Sequence, residues 1–216
     1  MSLPDKKYSI LYMDPPWQYR DSMQNRGTIT SSAAQHYNTM SLAELKALDI
    51  RSISEKNCIL FMWATGPQLD VAIELGISYG FKYKTLGFCW NKERKNPGAY
   101  TVSQCEFVLV FTRGSIPSPR GTRNERQYFC EKRTGRHSEK PHSVRAAIDR
   151  MFPQPEHARL ELFARHNIPG WECWGNDPSL INNIENNITE SVISSHIPDT
   201  YHNTETNTAH VGQLSF

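Results

Sequence analysis

The sequence predicts a doubly wound α/β fold, and two observations carry that reading. Short apolar runs recur along the chain, and amphipathic helical segments alternate with them. The runs are apolar at every position rather than at every second one, as strands buried on both faces of a mostly parallel sheet are. The length of 216 residues, 38% of them hydrophobic and 11% aromatic, suits one globular domain with a full core.

The elements follow in order. Tyr8 to Met13 is apolar, stops at Asp14-Pro15-Pro16 and reads as a buried strand. Ser41 to Leu48 and Pro67 to Leu75 read as helices, with a strand at Cys58 to Ala64 between them. Tyr83 to Trp90 is a weaker strand and Phe107 to Thr112 a strong one. Pro141 to Met151 reads as a helix with Pro141 at its first position and Val144, Ala147, Ile148 and Met151 on one face. Leu160 to Ala164 and Trp171 to Trp174 complete the strands. Gln18 to Tyr37 and Gly114 to Glu139 have no period and read as mobile loops beside a site. From Pro178 the composition turns to Asn, Thr and Ser, so a domain over residues 1–177 is expected to end in a flexible polar tail, 178–216.

Charge divides the chain in the same place. The formal net charge is +2, but all 24 Lys and Arg precede Pro178 while four of the 22 acidic residues follow it. The domain is therefore basic, which suits a polyanionic partner and equally an ordinary solvated surface. The five cysteines have no zinc-site or redox-pair spacing and read as free thiols in a reducing compartment, and no metal is expected. Met1 to Lys7 is not a signal peptide, and no apolar run reaches the roughly 18 residues of a membrane span. A soluble cytoplasmic protein with no membrane partner is expected, and a homodimer is left open.

Asp14-Pro15-Pro16-Trp17 brings together a carboxylate, a carbonyl that two prolines hold in place and an aromatic face at the end of a buried strand. Asp-Pro-Pro alone is an ordinary strand-ending turn, and Trp17 an ordinary core residue. Two fixed acceptors can also grip both N–H bonds of an amino group, localise its lone pair and stabilise the positive charge that forms when it is alkylated. Trp17 or Tyr19 would then stack a base.

Three later segments extend the pattern: His137-Ser138-Glu139-Lys140-Pro141, Leu160-Glu161-Leu162-Phe163-Ala164-Arg165 and Gly170-Trp171-Glu172-Cys173-Trp174-Gly175-Asn176-Asp177. In this order, over roughly Tyr8 to Asp177, the chain resembles the DPPW-type adenine methyltransferases. That family includes the catalytic subunit of the eukaryotic messenger-RNA adenine methyltransferase and many bacterial and phage DNA enzymes. The resemblance implies a Rossmann-like, S-adenosylmethionine-dependent methyltransferase fold in permuted order, the catalytic motif preceding the cofactor-binding strand. It implies methylation of the adenine 6-amino group, with Asp14, Pro15, Pro16 and Trp17 as the catalytic loop. It places Lys140 on the cofactor's carboxylate, Phe163 in the cofactor pocket, Arg165 and Asn167 near the ribose, and Asn176 and Asp177 facing the nucleoside, with Asp14 also at the cofactor. Plainer alternatives are a solvated lysine for Lys140, a surface ion pair for Arg165 and a turn residue for Asn176; Glu161 is read as structural.

Nucleic-acid contacts are expected from Tyr19 and from a basic stretch that includes Arg120, Arg123, Arg126 and Arg133, with Tyr128 and Phe129 among them. The same stretch also reads as a solvated loop. Lys92, Arg94 and Lys95 suggest a second such edge. A compact chain without added RNA-binding modules favours DNA over RNA, and a bacterial or phage source. The alternatives are an RNA adenine methyltransferase and a catalytically silent nucleic-acid-binding partner with the same fold.

Overall fold

The computed structural model describes residues 2–18, 39–97, 100–132 and 139–175. The expected tail and nearly all of the first expected loop lie outside them, as do Tyr19, Arg133, Asn176 and Asp177.

The chain runs β1 (Tyr8–Met13), α1 (Leu42–Lys46), β2 (Ser54–Thr65), a 3-10 turn (Gly66–Gln68), α2 (Leu69–Ser78), β3 (Lys82–Asn96), β4 (Ser103–Arg113), β5 (Tyr128–Cys130), α3 (His142–Met151), β6 (Arg159–Leu162) and β7 (Glu172–Trp174). Local chemistry sets several of these boundaries. Ser41 and Glu44 form a reciprocal capping box at α1: the Glu44 N–H donates to Ser41 Oγ and the Ser41 N–H to the Glu44 carboxylate. Pro141 is the N-cap of α3, with an extended ψ of 139°, and not its first helical residue as expected. β6 stops two residues earlier than expected because Phe163 adopts a left-handed φ of 61°.

The seven strands are ordered β5-β3-β4-β2-β1-β6-β7. β1 lies parallel to β2 and β6, β6 to β7, and β3 to β5. The sheet is mostly parallel, as expected, with β4 as the exception: it runs antiparallel to both β2 and β3. The reason is its hairpin connection to β3, which pairs Asn96 with Ser103. The strand expected to be weak, β3, is the longest at 15 residues, and its three register shifts against β4 explain why no clean period marked it.

Helices cover both faces, so the sheet is doubly wound. Leu11, Met13, Leu60 and Met62 pack with Leu45, Val71 and Leu75 from α1 and α2. Ile10, Tyr12, Phe61 and Trp63 pack on the other face with Val144, Ala147 and Ile148 from α3. Alternate residues of β1 and β2 thus enter different cores, which is why their sequences are apolar throughout.

Gly76 lets α2 sit close against β4, because a Cβ there would stand 2.3 Å from the buried Phe111 ring. Gly76→Ala is therefore expected to destabilise the fold by about 1–3 kcal/mol, as read from urea unfolding.

The topology brings several strand ends to one edge. Met13 pairs with Met62 and Leu162, and Glu106 pairs with Thr65 and Trp90. The C-terminal ends of β1, β3 and β6 and the N-terminal end of β4 therefore converge, where ligands bind in such sheets.

Candidate active site

Asp14 leaves β1 at this edge, and its loop is tied at two points. The Trp17 N–H donates to the Pro15 carbonyl at 2.8 Å, and the Met40 N–H donates to the Pro16 carbonyl at 2.8 Å. A carbonyl oxygen has two lone pairs, so that of Pro15 keeps one for a further donor. Pro16 is committed to the loop's anchorage. Trp17 is 7% exposed, packs in the core and donates its indole N–H to the Trp63 carbonyl at 3.2 Å. That burial corrects the expectation that Trp17 stacks a base. Its ring fixes the loop instead.

Lys140 lies next to Asp14. Its ammonium is 2.9 Å from Asp14 Oδ2 and 3.1 Å from Glu106 Oε2, and 5.5 Å above the Trp63 ring. Lys92 donates to the other Glu106 oxygen, Oε1, at 3.0 Å. Two cations and two anions thus alternate across the sheet end. Burial disfavours every one of these charges, and the partners decide how each responds. Glu106 touches two ammonium groups, which outweigh burial and hold its pKa below the usual glutamate value. Lys140 faces two carboxylates and is held charged, above the usual lysine value, against the opposing effect of burial. Asp14 has only a share of Lys140, so burial prevails and its pKa is raised.

A second pair lies alongside. Arg145 grips Glu161 with two hydrogen bonds, at 2.9 and 3.1 Å, and stands 5.5 Å from the Tyr12 ring. Burial pushes the Glu161 carboxyl up to about 7, with Arg145 opposing. Tyr12 accepts the Trp63 indole N–H at 2.6 Å.

Between these two pairs opens a cleft lined by Asp14, Lys140, Glu161, Phe163 and Arg165, with His142 and His166 at its margin. Four residues expected at the cofactor therefore meet in one place. Asn167 is exposed and does not line this cleft. Glu161, read as structural, borders it. Glu106 was not singled out, and Lys92, expected at a nucleic-acid edge, lies buried beside it instead. Their one signal was a charged residue directly flanking an apolar strand, which is costly unless paired.

The basic stretch is placed differently from expectation. The Gly121 and Thr122 N–H groups donate to the Met151 and Arg150 carbonyls, and Glu125 pairs with Arg150. These contacts hold Gly121, Thr122 and Glu125 at the C-terminal end of α3, about 15 Å along a ten-residue helix from Lys140. Arg120 is half-buried, with its guanidinium 4.7 Å over the Phe152 ring. A tally of charges in the sequence gave no direction to the loop: Arg120 packs on Phe152, while Arg123 and Arg126 are exposed. Arg120→Ala is expected to cost about 0.5–2 kcal/mol of stability while leaving the salt dependence of nucleic-acid binding unchanged, as checked by thermal unfolding and a salt titration.

The family model for MT-A70 matches residues 8–177, from the first residue of β1 through the last segment of the ordered motif series. The chain belongs to the MT-A70 family. It is 50% identical over 186 residues to the "Type II methyltransferase M.MunI" of a Mycoplasma species, covering 80% of this chain and 78% of that one. It is 22% identical over 203 residues to the human "N(6)-adenine-specific methyltransferase METTL4", covering 80% of this chain and 38% of that protein. A 25% match over 179 residues to the Arabidopsis thaliana "N(6)-adenosine-methyltransferase MT-A70-like" covers 78% of this chain and 23% of the plant protein. The resemblance read from the DPPW, Lys140 and Leu160 to Arg165 segments is thereby established, and the MT-A70 domain has the expected Rossmann-like fold.

Proposed function

We propose that this MT-A70 domain transfers a methyl group from S-adenosylmethionine to the 6-amino group of adenine in DNA. The observation that carries the reading is the position of the Asp14 carboxylate, beside the part-free Pro15 carbonyl and next to Lys140 in a cleft. DNA is preferred to RNA because of the 50% identity to a bacterial type II methyltransferase over 78% of that protein.

The cleft's own groups suit the cofactor. An ammonium has three donors, and Asp14 and Glu106 engage two on Lys140, which leaves one for a carboxylate. Arg165 adds a second cation, and Phe163 offers an apolar face. When bound, S-adenosylmethionine supplies a methyl group made electrophilic by its sulfonium. Asp14 and the Pro15 carbonyl accept the two amino N–H bonds of the target and draw the lone pair out of conjugation with the ring. As the nitrogen becomes positive, the Asp14 charge stabilises it, and the proton the nitrogen then sheds passes by way of this carboxylate to solvent.

At the same edge the tip of the β3–β4 hairpin exposes Tyr100 completely and Val102 by more than half. This tip replaces the Arg120 segment as the proposed nucleic-acid contact, with Tyr100 as a stacking surface. Residues 8–177 form the proposed catalytic unit.

The test is direct. The protein is incubated with labelled S-adenosylmethionine and matched single- and double-stranded DNA and RNA, and the products are digested to nucleosides. N6-methyladenine from DNA is the expected result. Label in RNA alone overturns the choice of DNA, and label in neither overturns the function.

A further inference from the structure

Lys92 looked in the sequence like a surface lysine at a nucleic-acid edge, yet it is only 8% exposed. Its ammonium sits on Glu106 Oε1, the oxygen not used by Lys140. A lysine–glutamate pair this deep is a poor way to stabilise a sheet, since an apolar pair of similar volume would serve as well or better. What Lys92 reaches through Glu106 is Lys140 and then Asp14, three contacts of 3.0, 3.1 and 2.9 Å across β3, β4, the segment before α3 and the end of β1. Without Lys92, Glu106 and Asp14 would compete for one ammonium. With it, Glu106 is satisfied on one side and Lys140 can serve both.

We propose that Lys92 is a positioning residue that fixes how the Lys140 ammonium is shared between Glu106 and Asp14, and so keeps Asp14 a carboxylate for the target amine. The inference rests on the proposed function for the word "amine"; the sharing itself does not. Several charged groups around Asp14 enter the balance, and Glu139, His142 and His166 line the same cleft. Lys140 and Arg165 favour its ionised form, while Glu106 opposes it. Glu161, also nearby, is occupied by Arg145. Lys92 acts at one remove, by neutralising the charge of Glu106.

Lys92→Met removes that neutralising charge, so Glu106 draws Lys140 from Asp14, and protonation of Asp14 moves to higher pH. At an effective dielectric constant of about 20 and a separation of about 9 Å, the expected displacement is about one pH unit. The acid limb of the kcat/KM profile therefore moves up by that amount. Activity falls about tenfold at a pH on the limb and stays close to wild type on the plateau. Lys92→Arg retains the profile. Glu106→Gln moves the limb the other way, because Asp14 then has Lys140 to itself, and this variant decides the matter if Lys92→Met does not fold.

The same displacement is expected in a carbon-13 NMR titration of the Asp14 carboxyl in protein without cofactor. That readout does not depend on methylation, so a failure of the proposed function leaves it intact. An acid limb and an Asp14 titration that stay put in Lys92→Met, or move to lower pH, overturn the inference. So does a loss of turnover that is equal at every pH.

Discussion

Asp14→Asn abolishes methyl transfer while cofactor affinity stays near wild type. Asparagine keeps the shape of the side chain and one acceptor oxygen but removes the charge opposite the developing positive nitrogen. Lys140 is still held by Glu106 Oε2, so the cleft retains its cation. Removing one preorganised electrostatic partner of a transition state costs about 10²–10³ in kcat, and the loss here is expected to be at least that large. Single-turnover methylation measures the chemical step, and calorimetry with S-adenosylmethionine measures binding. A loss of less than tenfold would remove Asp14 from the chemistry.

Lys140→Met is expected to affect both binding and stability. It withdraws the donor proposed for the cofactor's carboxylate, so affinity should fall at least tenfold by calorimetry. It also leaves Asp14 facing Glu106 with no cation between them. Breaking a buried ion pair from one side costs about 3–5 kcal/mol, and the lower end, about 3, applies because Lys92 still serves Glu106. The pH dependence has a definite sign. The folded protein disfavours an uncompensated Asp14 carboxylate, so the pKa of Asp14 is raised further above its unfolded value. The variant is then most destabilised above that raised pKa, and the deficit shrinks on acidification as Asp14 takes up a proton in the folded state. Urea unfolding at pH 8 and pH 5 should therefore give a wide gap to wild type at the first and a narrow one at the second. An equal gap at both would mean that Lys140 stabilises the fold through its packing on Trp63 rather than through charge.

The parts of the site that could be read from the sequence are those fixed by local chemistry. The Tyr8 to Met13 strand was bounded correctly because two prolines end it, and Asp14 falls at the catalytic edge for the same reason. Lys140, Phe163 and Arg165 reach the cleft from segments that the family resemblance had placed in order. Residues whose role depends on pairing across strands were missed. Glu106 meets Lys140 only because β4 runs antiparallel and presents its first half to the edge where β1 ends. Lys92 meets Glu106 only through the shifted register of β3. No period in the sequence carries that register. Trp17 and Arg120 show the opposite error. Each has a side chain suited to binding a nucleotide, but a carbonyl of the neighbouring strand takes the Trp17 indole and the Phe152 ring takes the Arg120 guanidinium.

The loop that follows Asp14 also bears on how such a protein can diversify. The Met40 N–H donates to the Pro16 carbonyl and the Gln18 N–H donates to the Met40 carbonyl, so the chain is stapled to itself on both sides of residues 19–38. Doubling the length of a segment whose ends are already joined costs only about 0.6 kcal/mol in closure entropy. The staple therefore separates the evolution of two properties. Residues can be added, removed or exchanged between the fixed ends while the geometry at Asp14 stays the same. Variation there can in this way be inherited without disturbing the site.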